Sequence, residues 1–389
     1  MNASSLYKSV LAVVITSLLL VAQFAQARQM IIPAPPQLAA SGYLLIDADT
    51  GKVLVEHNAD QPLPPASLTK MMTSYIVSSE IDAGNMHEDD LVNISVKAWK
   101  MGGSKMFIRE GTRVSIKDLL RGVIIQSGND ASVALAEHVA GSEAAFVDVM
   151  NQQAALLGMT NTLFQNATGW PAQDHYTTAR DLSLLAQALI NDFPEHYKLY
   201  AEKYFKFNGI NQPNRNKLLF RDSSVDGLKT GHTEEAGFCL VASARKNGMR
   251  LISVVMGTRS DEARAAESQK LLAYGFRYFQ THKLYGQGDE LSSARVWAGQ
   301  ENEVKLGIKE DLYLTIPRGA AEELEAKMHI DDVIKAPFTT GQELGNLTVV
   351  LNEETLVDVP LVAINGVEQA GFLVRLWDAI KLFFISLFS

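Results

Sequence analysis

The chain has 389 residues, 47% of them hydrophobic and 20% charged, a globular composition with room for two or three domains. Its net charge of −9 argues against the basic face of a nucleic-acid binder, so no nucleic-acid partner is expected. A lone cysteine, Cys239, excludes an internal disulfide framework; its apolar neighbours predict a buried small hydrophobe.

In chain order, Lys8 precedes an apolar run over 10–21, and Ala25-Gln26-Ala27 offers small residues two apart. That pattern predicts an export signal over 1–27, cleaved after Ala27. Ile32-Pro33-Ala34-Pro35-Pro36 reads as an extended connector. Strands are predicted at 42–47 and 52–56, joined at Asp49-Thr50-Gly51. A Pro-rich break over 61–66 precedes a helix from about Ser67, with Leu68, Met71, Met72 and Tyr75 as its buried stripe.

The span 112–200 is helical in pattern, interrupted by a Gly/Pro/Asn/Asp-rich loop over 166–176. Strands return at 237–244 and 250–256, around the turn Lys246-Asn247-Gly248, and a helix follows over 264–279. Strand, helices, strand predicts an α+β domain: one antiparallel sheet built from both ends of the segment and covered by helices. Short strands between Gly and Pro turns over about 285–368 predict a small all-β domain. The division expected is therefore 28–282, 283–370 and a tail over 371–389. In that tail Phe372, Leu376, Trp377, Ile380, Phe383 and Phe384 recur at helical spacing, opposite Arg375, Asp378 and Lys381. Such a helix suits a membrane interface better than a membrane crossing.

Three motifs carry chemistry. Ser67-Leu68-Thr69-Lys70 puts a serine and a lysine on one helical face; a buried lysine loses proton affinity and can activate the serine. Spacing alone is weak, because Ser5-x-x-Lys8 and Ser243-x-x-Lys246 share it. Ser127-Gly128-Asn129 lies between two helices, where plain capping is the competing explanation. Lys229-Thr230-Gly231-His232 suggests a strand edge open to a ligand, with a solvated surface turn as its alternative. The order Ser-x-x-Lys, Ser-x-Asn, Lys-Thr-Gly, at intervals of 60 and 102 residues, is far more specific than any one motif. No His-x-x-x-His pair or Cys/His cluster suggests a metal, and no Gly-rich loop suggests a nucleotide.

With Pro65-Ala66-Ser67-Leu68-Thr69-Lys70-Met71-Met72, Ser127-Gly128-Asn129-Asp130-Ala131 and Asp226-Gly227-Leu228-Lys229-Thr230-Gly231-His232-Thr233, the chain resembles the low-molecular-mass penicillin-binding proteins that act as D-alanyl-D-alanine carboxypeptidases, the penicillin-binding protein 5 and 6 type. The resemblance implies a β-lactamase/transpeptidase-like fold, no cofactor, and removal of the terminal D-Ala from peptidoglycan pentapeptides through an acyl-Ser67 intermediate. It implies β-lactams as inhibitors and the periplasmic face of the inner membrane as the location. Lys70 would be the base and Ser127 the proton relay to the leaving amine. Asn129 would bind a substrate amide. Beside Gly231, Lys229 would add positive charge to the cleft and Thr230 would contact the terminal carboxylate, and the N–H groups of Ser67 and His232 would hold the oxyanion. Arg264 is the candidate for the substrate carboxylate, with Arg215 second. The loop over 166–181 lacks the glutamate that deacylates related β-lactamases; its acids are Asp174 and Asp181. β-Lactamase, D,D-endopeptidase and inactive wall-binding scaffold are the competing functions.

Overall fold

The computed structural model describes residues 32–388, and the expected signal over 1–27 lies outside them. Strands β1 (Gly42–Asp47) and β2 (Val53–His57) form the predicted hairpin. The Asp47 carboxylate tightens its turn by accepting from the Asp49 and Thr50 N–H groups at 2.9 and 3.0 Å. Helix α1 (Lys70–Asp82) follows. Two short pairs are decoration: β3 (Leu91–Asn93) with β4 (Arg113–Ser115), and β5 (Tyr204–Phe207) with β6 (Ile210–Pro213). Between them lie α2 (Ile116–Ile125), α3 (Asn129–Ala140), α4 (Glu143–Leu156) and α5 (Ala179–Asp192).

Strands β7 (Val225–Thr233), β8 (Gly237–Lys246) and β9 (Met249–Thr258) then return to β1. They complete an antiparallel sheet in the order β2-β1-β9-β8-β7. Placing β1 beside β9 joins the two ends of the domain, as the sequence order predicts. Alternation along the strands sends Leu44, Ile46, Val241, Ile252 and Val254 to the helical side, against Leu68, Met71, Leu119 and Leu185. Tyr43, Leu45, Leu240, Ala242 and Leu251 face Leu271 and Leu272 of α6 (Asp261–Tyr278). A two-residue side-chain period with both faces buried explains the near-continuous apolar runs of β8 and β9. Cys239 is fully buried among them.

Helix α6 continues directly into β10 (Phe279–Tyr285), which is followed by β11 (Ser292–Trp297), β12 (Glu303–Gly307) and β13 (Leu312–Pro317). Strands β14 (Leu324–Ile330), β15 (Ile334–Lys335), β16 (Glu343–Leu351) and β17 (Glu354–Ala363) complete the second domain. Its main sheet runs β14-β16-β17-β12-β11-β15, and β10 pairs with β13. Strand β14 has no sequence signal because all but its end residues are exposed. The two domains meet where Thr50 Oγ1 lies 2.6 Å from Thr315 Oγ1 and Lys52 Nζ donates to the Thr315 carbonyl at 3.1 Å. Helix α7 (Phe372–Phe388) ends the chain.

Candidate active site

Ser67 does not start a regular α-helix, as the periodicity suggested. It sits in a 3-10 turn, Ala66–Thr69, and α1 begins at Lys70. Pro65 precedes the turn, and Ala66 takes the left-handed conformation with φ of 47°. This presents the Ser67 side chain at the helix entrance while Leu68 anchors the turn in the core. Lys70 Nζ donates to Ser67 Oγ at 2.9 Å and to the Thr168 carbonyl at 2.5 Å. The ammonium is completely buried. Burial, then the positive charge of Arg215, lower its pKa to about 7, against an opposing pull from Asp130. Desolvation disfavours the charged form, and a neighbouring cation adds to that.

Loop 166–170 forms the wall behind Lys70. The side-chain oxygen of Asn166 accepts from the N–H groups of Thr168, Gly169 and Trp170 at 3.1, 2.8 and 3.0 Å. Gly169, at φ of 80°, passes so close to the Ala66–Thr69 turn that a Cβ would lie 1.7 Å from the Ala66 carbonyl oxygen and 2.9 Å from the Ser67 nitrogen. Only glycine fits there, both sterically and conformationally. Gly169→Ala should lower stability by about 2 kcal/mol or more and slow acylation by penicillin. Thermal unfolding and the labelling rate check both effects.

Ser127 follows α2 with φ of 60° and is buried. Lys229 Nζ donates to its Oγ at 2.9 Å. Lys229 is buried too, and its pKa is pushed well down by burial and then by the charges of Lys70, Arg215 and Arg264. Capping does not explain the Ser-Gly-Asn motif. Gly128 is the N-cap of α3, with no side-chain cap bond. Asn129 Nδ2 instead donates to the Gly102 carbonyl at 2.8 Å. The Asp130 carboxylate accepts from the N–H groups of Met106 and Phe107 at 3.0 and 2.9 Å, so it holds loop 104–108 beside the site.

Lys229, Thr230, Gly231 and His232 lie within β7, the edge strand of the main sheet. One side of β7 therefore remains open for a peptide. Arg264 sits in the first turn of α6, pairs with Asp261 and donates from Nη1 to the Gly231 carbonyl at 3.0 Å. Phe238 lies between two of these groups, 3.9 Å from the His232 ring and 5.7 Å from the Arg264 guanidinium, measured between centres. Arg215 donates from Nε to the Gln126 carbonyl at 3.1 Å.

All nine predicted residues gather around one cleft, with the two lysines behind its serines. The cleft has two lobes of about 470 and 750 Å³, which share Ser67, Ser104, Arg215 and His232. Ser127, Thr230, Gly231 and Arg264 line the first lobe, and Asn129, Thr168 and Trp170 line the second. Asn166, Thr168, Gly169, Ser104 and Phe238 have no motif of their own. For Asn166, Thr168 and Gly169 the sequence signal is the density of Gly, Asn and Pro in the loop after 165.

A family model described as D-alanyl-D-alanine carboxypeptidase matches residues 29–260. A second, described as penicillin-binding protein 5, C-terminal domain, matches residues 279–369. The chain is 46% identical over 361 residues to D-alanyl-D-alanine carboxypeptidase DacA of Escherichia coli K12, covering 91% of this chain and 90% of that protein. It is 44% identical over 380 residues to DacC of the same strain, covering 96% and 95%. Among solved structures, penicillin binding protein 5 from Haemophilus influenzae superposes with a TM-score of 0.83 at 45% identity, covering 87% of this chain and 100% of that one. Penicillin-binding protein D2 from Listeria monocytogenes, in its ampicillin-bound form, gives 0.58 at 31% identity, covering 63% and 100%. The chain belongs to the D-alanyl-D-alanine carboxypeptidase family of S11 serine peptidases, with a penicillin-binding protein 5 type C-terminal domain.

Proposed function

We propose that Ser67 is the acylated nucleophile and Lys70 its base, in a carboxypeptidase that trims the terminal D-Ala from peptidoglycan pentapeptides. The observation that carries this is the buried Lys70 amine, 2.9 Å from Ser67 Oγ with its pKa lowered to about 7. A neutral amine takes the hydroxyl proton as Ser67 attacks the carbonyl between the two D-Ala residues. The N–H groups of Ser67 and His232 face the developing oxyanion, and such donors contribute about 3 kcal/mol each. Ser127, with Lys229 behind it, returns a proton to the leaving D-Ala amine. The terminal carboxylate sits at Thr230 and Arg264, and its charge draws Lys229 back toward the ammonium form. Asn129 receives an amide of the acyl portion. Water then releases the shortened peptide.

Penicillins acylate the same serine and leave slowly in this reading. Asp181 is buried and its carboxylate is engaged by the Asn161 N–H and Thr162 hydroxyl at 2.9 and 2.7 Å. Neither Asp174 nor Asp181 lines the cleft, so neither supplies a deacylating base. Mass spectrometry of the protein with a D-Ala-D-Ala pentapeptide, and separately with penicillin, tests the assignment. Released D-Ala and a long-lived adduct on Ser67 are expected. An adduct on another residue, or rapid steady turnover of penicillin, would refute it.

The same reading places the enzyme on the outer face of the inner membrane, anchored by α7 after export. On that helix Asp378 is buried and accepts from the Ala298 N–H at 2.9 Å. Trp377, Phe383 and Leu387 are 60, 61 and 62% exposed. The polar side thus faces the protein and the apolar side faces outward, an arrangement that suits the headgroup boundary of a bilayer. No described helix is long and apolar enough to cross a membrane. Deleting residues 371–389 should convert a membrane-associated enzyme to a soluble one with unchanged kcat. Fractionation and D-Ala release check this, and persistent membrane association after signal cleavage would count against it.

A further inference from the structure

Behind the wall formed by loop 166–170 lies a histidine that no motif marks. His175 is 7% exposed and lines neither lobe of the cleft. Its Nε2 is 3.1 Å from Thr69 Oγ1, in the turn between Ser67 and Lys70, and its Nδ1 is 3.3 Å from Asn166 Nδ2. The ring meets Phe164 edge-on, with centres 6.0 Å apart.

The surroundings fix the proton of this ring. Asn166 Oδ1 already accepts from the N–H groups of Thr168, Gly169 and Trp170 and from the Thr168 hydroxyl. The Asn166 amide nitrogen, which also donates to the Trp170 carbonyl at 2.9 Å, therefore presents a donor to His175, and Nδ1 accepts. The proton then sits on Nε2, which donates to the Thr69 hydroxyl. A second proton on Nδ1 would face the Asn166 donor. Burial agrees with this, since it lowers the imidazole pKa to about 4 and leaves the ring neutral at pH 7.

We infer that His175 is a positioning residue for acylation, clamping the turn that carries Ser67 to the loop whose Thr168 carbonyl receives the Lys70 amine. The inference rests on the proposed role of Lys70 as base. Lys70 Nζ bonds to Ser67 Oγ on one side and to the Thr168 carbonyl on the other. Thr69 belongs to the turn that bears the first partner, and Asn166 orients the loop that bears the second. One imidazole therefore links the two supports of the amine. Thr73 Oγ1 donates to the Ala167 carbonyl at 2.8 Å, so the loop stays attached to α1 without the imidazole, but the Asn166 amide loses its link to the turn. A misplacement of about 1 Å between reacting groups can cost about a hundredfold in rate.

His175→Phe keeps an aromatic ring beside Phe164 and removes both bonds. In stopped-flow penicillin acylation its saturating rate constant should fall by about tenfold to a hundredfold, with the dissociation constant of the noncovalent complex unchanged. Its pH inflection should move to higher pH, because a loosened wall admits water to the Lys70 amine. His175→Gln places an amide donor where Nε2 lies, and His175→Asn places an amide oxygen where Nδ1 lies. Each keeps one bond and should fall between the unaltered enzyme and His175→Phe in rate and in inflection. An unchanged rate and inflection in His175→Phe would overturn the inference. So would a slower rate with the inflection fixed in all three variants, the mark of a merely structural role. Should His175→Phe fail to fold, the Gln and Asn variants decide by the same two readouts. Lys70→Arg separates this inference from the reading beneath it: loss of the inflection there leaves Lys70 as the base whatever the His175 variants do, and its persistence would overturn both.

Discussion

Ser67→Ala is expected to abolish D-Ala release and covalent penicillin labelling while the protein stays folded. The loss should be on the order of 10⁴-fold or more, as for removal of other serine nucleophiles. Folding should survive because Ser67 is only half-buried and its hydroxyl accepts from Lys70. Without it, Lys70 Nζ retains the Thr168 carbonyl. Circular dichroism and thermal unfolding verify the fold, and intact-protein mass spectrometry verifies the missing adduct. Labelling that persists in this variant would remove Ser67 from the mechanism. A wall-binding scaffold would make the opposite prediction in cells, with wall function surviving in folded Ser67→Ala.

Lys70→Arg should cost about 10³-fold in acylation rate, within the range for loss of a positioned general base. Arginine keeps the positive charge but stays protonated at any workable pH, so the comparison isolates proton transfer from electrostatics. The unaltered enzyme should show the complementary pH profile. In the proposed mechanism Lys70 acts as the free amine, and its pKa is lowered to about 7. The acylation rate should therefore rise about tenfold per pH unit below 7 and level off above it. Stopped-flow penicillin acylation from pH 5 to 9 measures this, and Lys70→Arg should lack the inflection. Arg215→Gln removes the cation that helps lower the Lys70 pKa, so the inflection of that variant should move to higher pH. An inflection that stays in place in Lys70→Arg would assign the titration to another group.

Much of the fold was legible because its signals are local. Apolar runs on either side of Lys246-Asn247-Gly248 marked β8 and β9, Asp49-Thr50-Gly51 marked the first hairpin, and the periodicity of α5 marked a helix. Strand β14 was not legible, since an edge strand without a buried face has no alternation to show. The 3-10 turn Ala66–Thr69 was not legible for a related reason. Helical periodicity cannot distinguish a 3-10 turn from the first turn of an α-helix, and the positive φ of Ala66 is unusual for alanine.

The site shows the same division. Of the two decoy Ser-x-x-Lys pairs, Ser5 lies outside the described residues, and Ser243 is spent accepting from Arg250 at 2.7 Å within β8. Motif order alone separated Ser67 from them. Sequence by itself determined which residue types the cleft contains, the order in which they arrive, and the two-sided character of α7. Tertiary structure decided which side of α7 turns outward, by giving Asp378 a buried partner at Ala298. It also decided the proton affinity of the Lys70 amine. Burial and the charge of Arg215 lower it against the opposing pull of Asp130, and only the folded domain brings these groups, distant in the chain, around one amine.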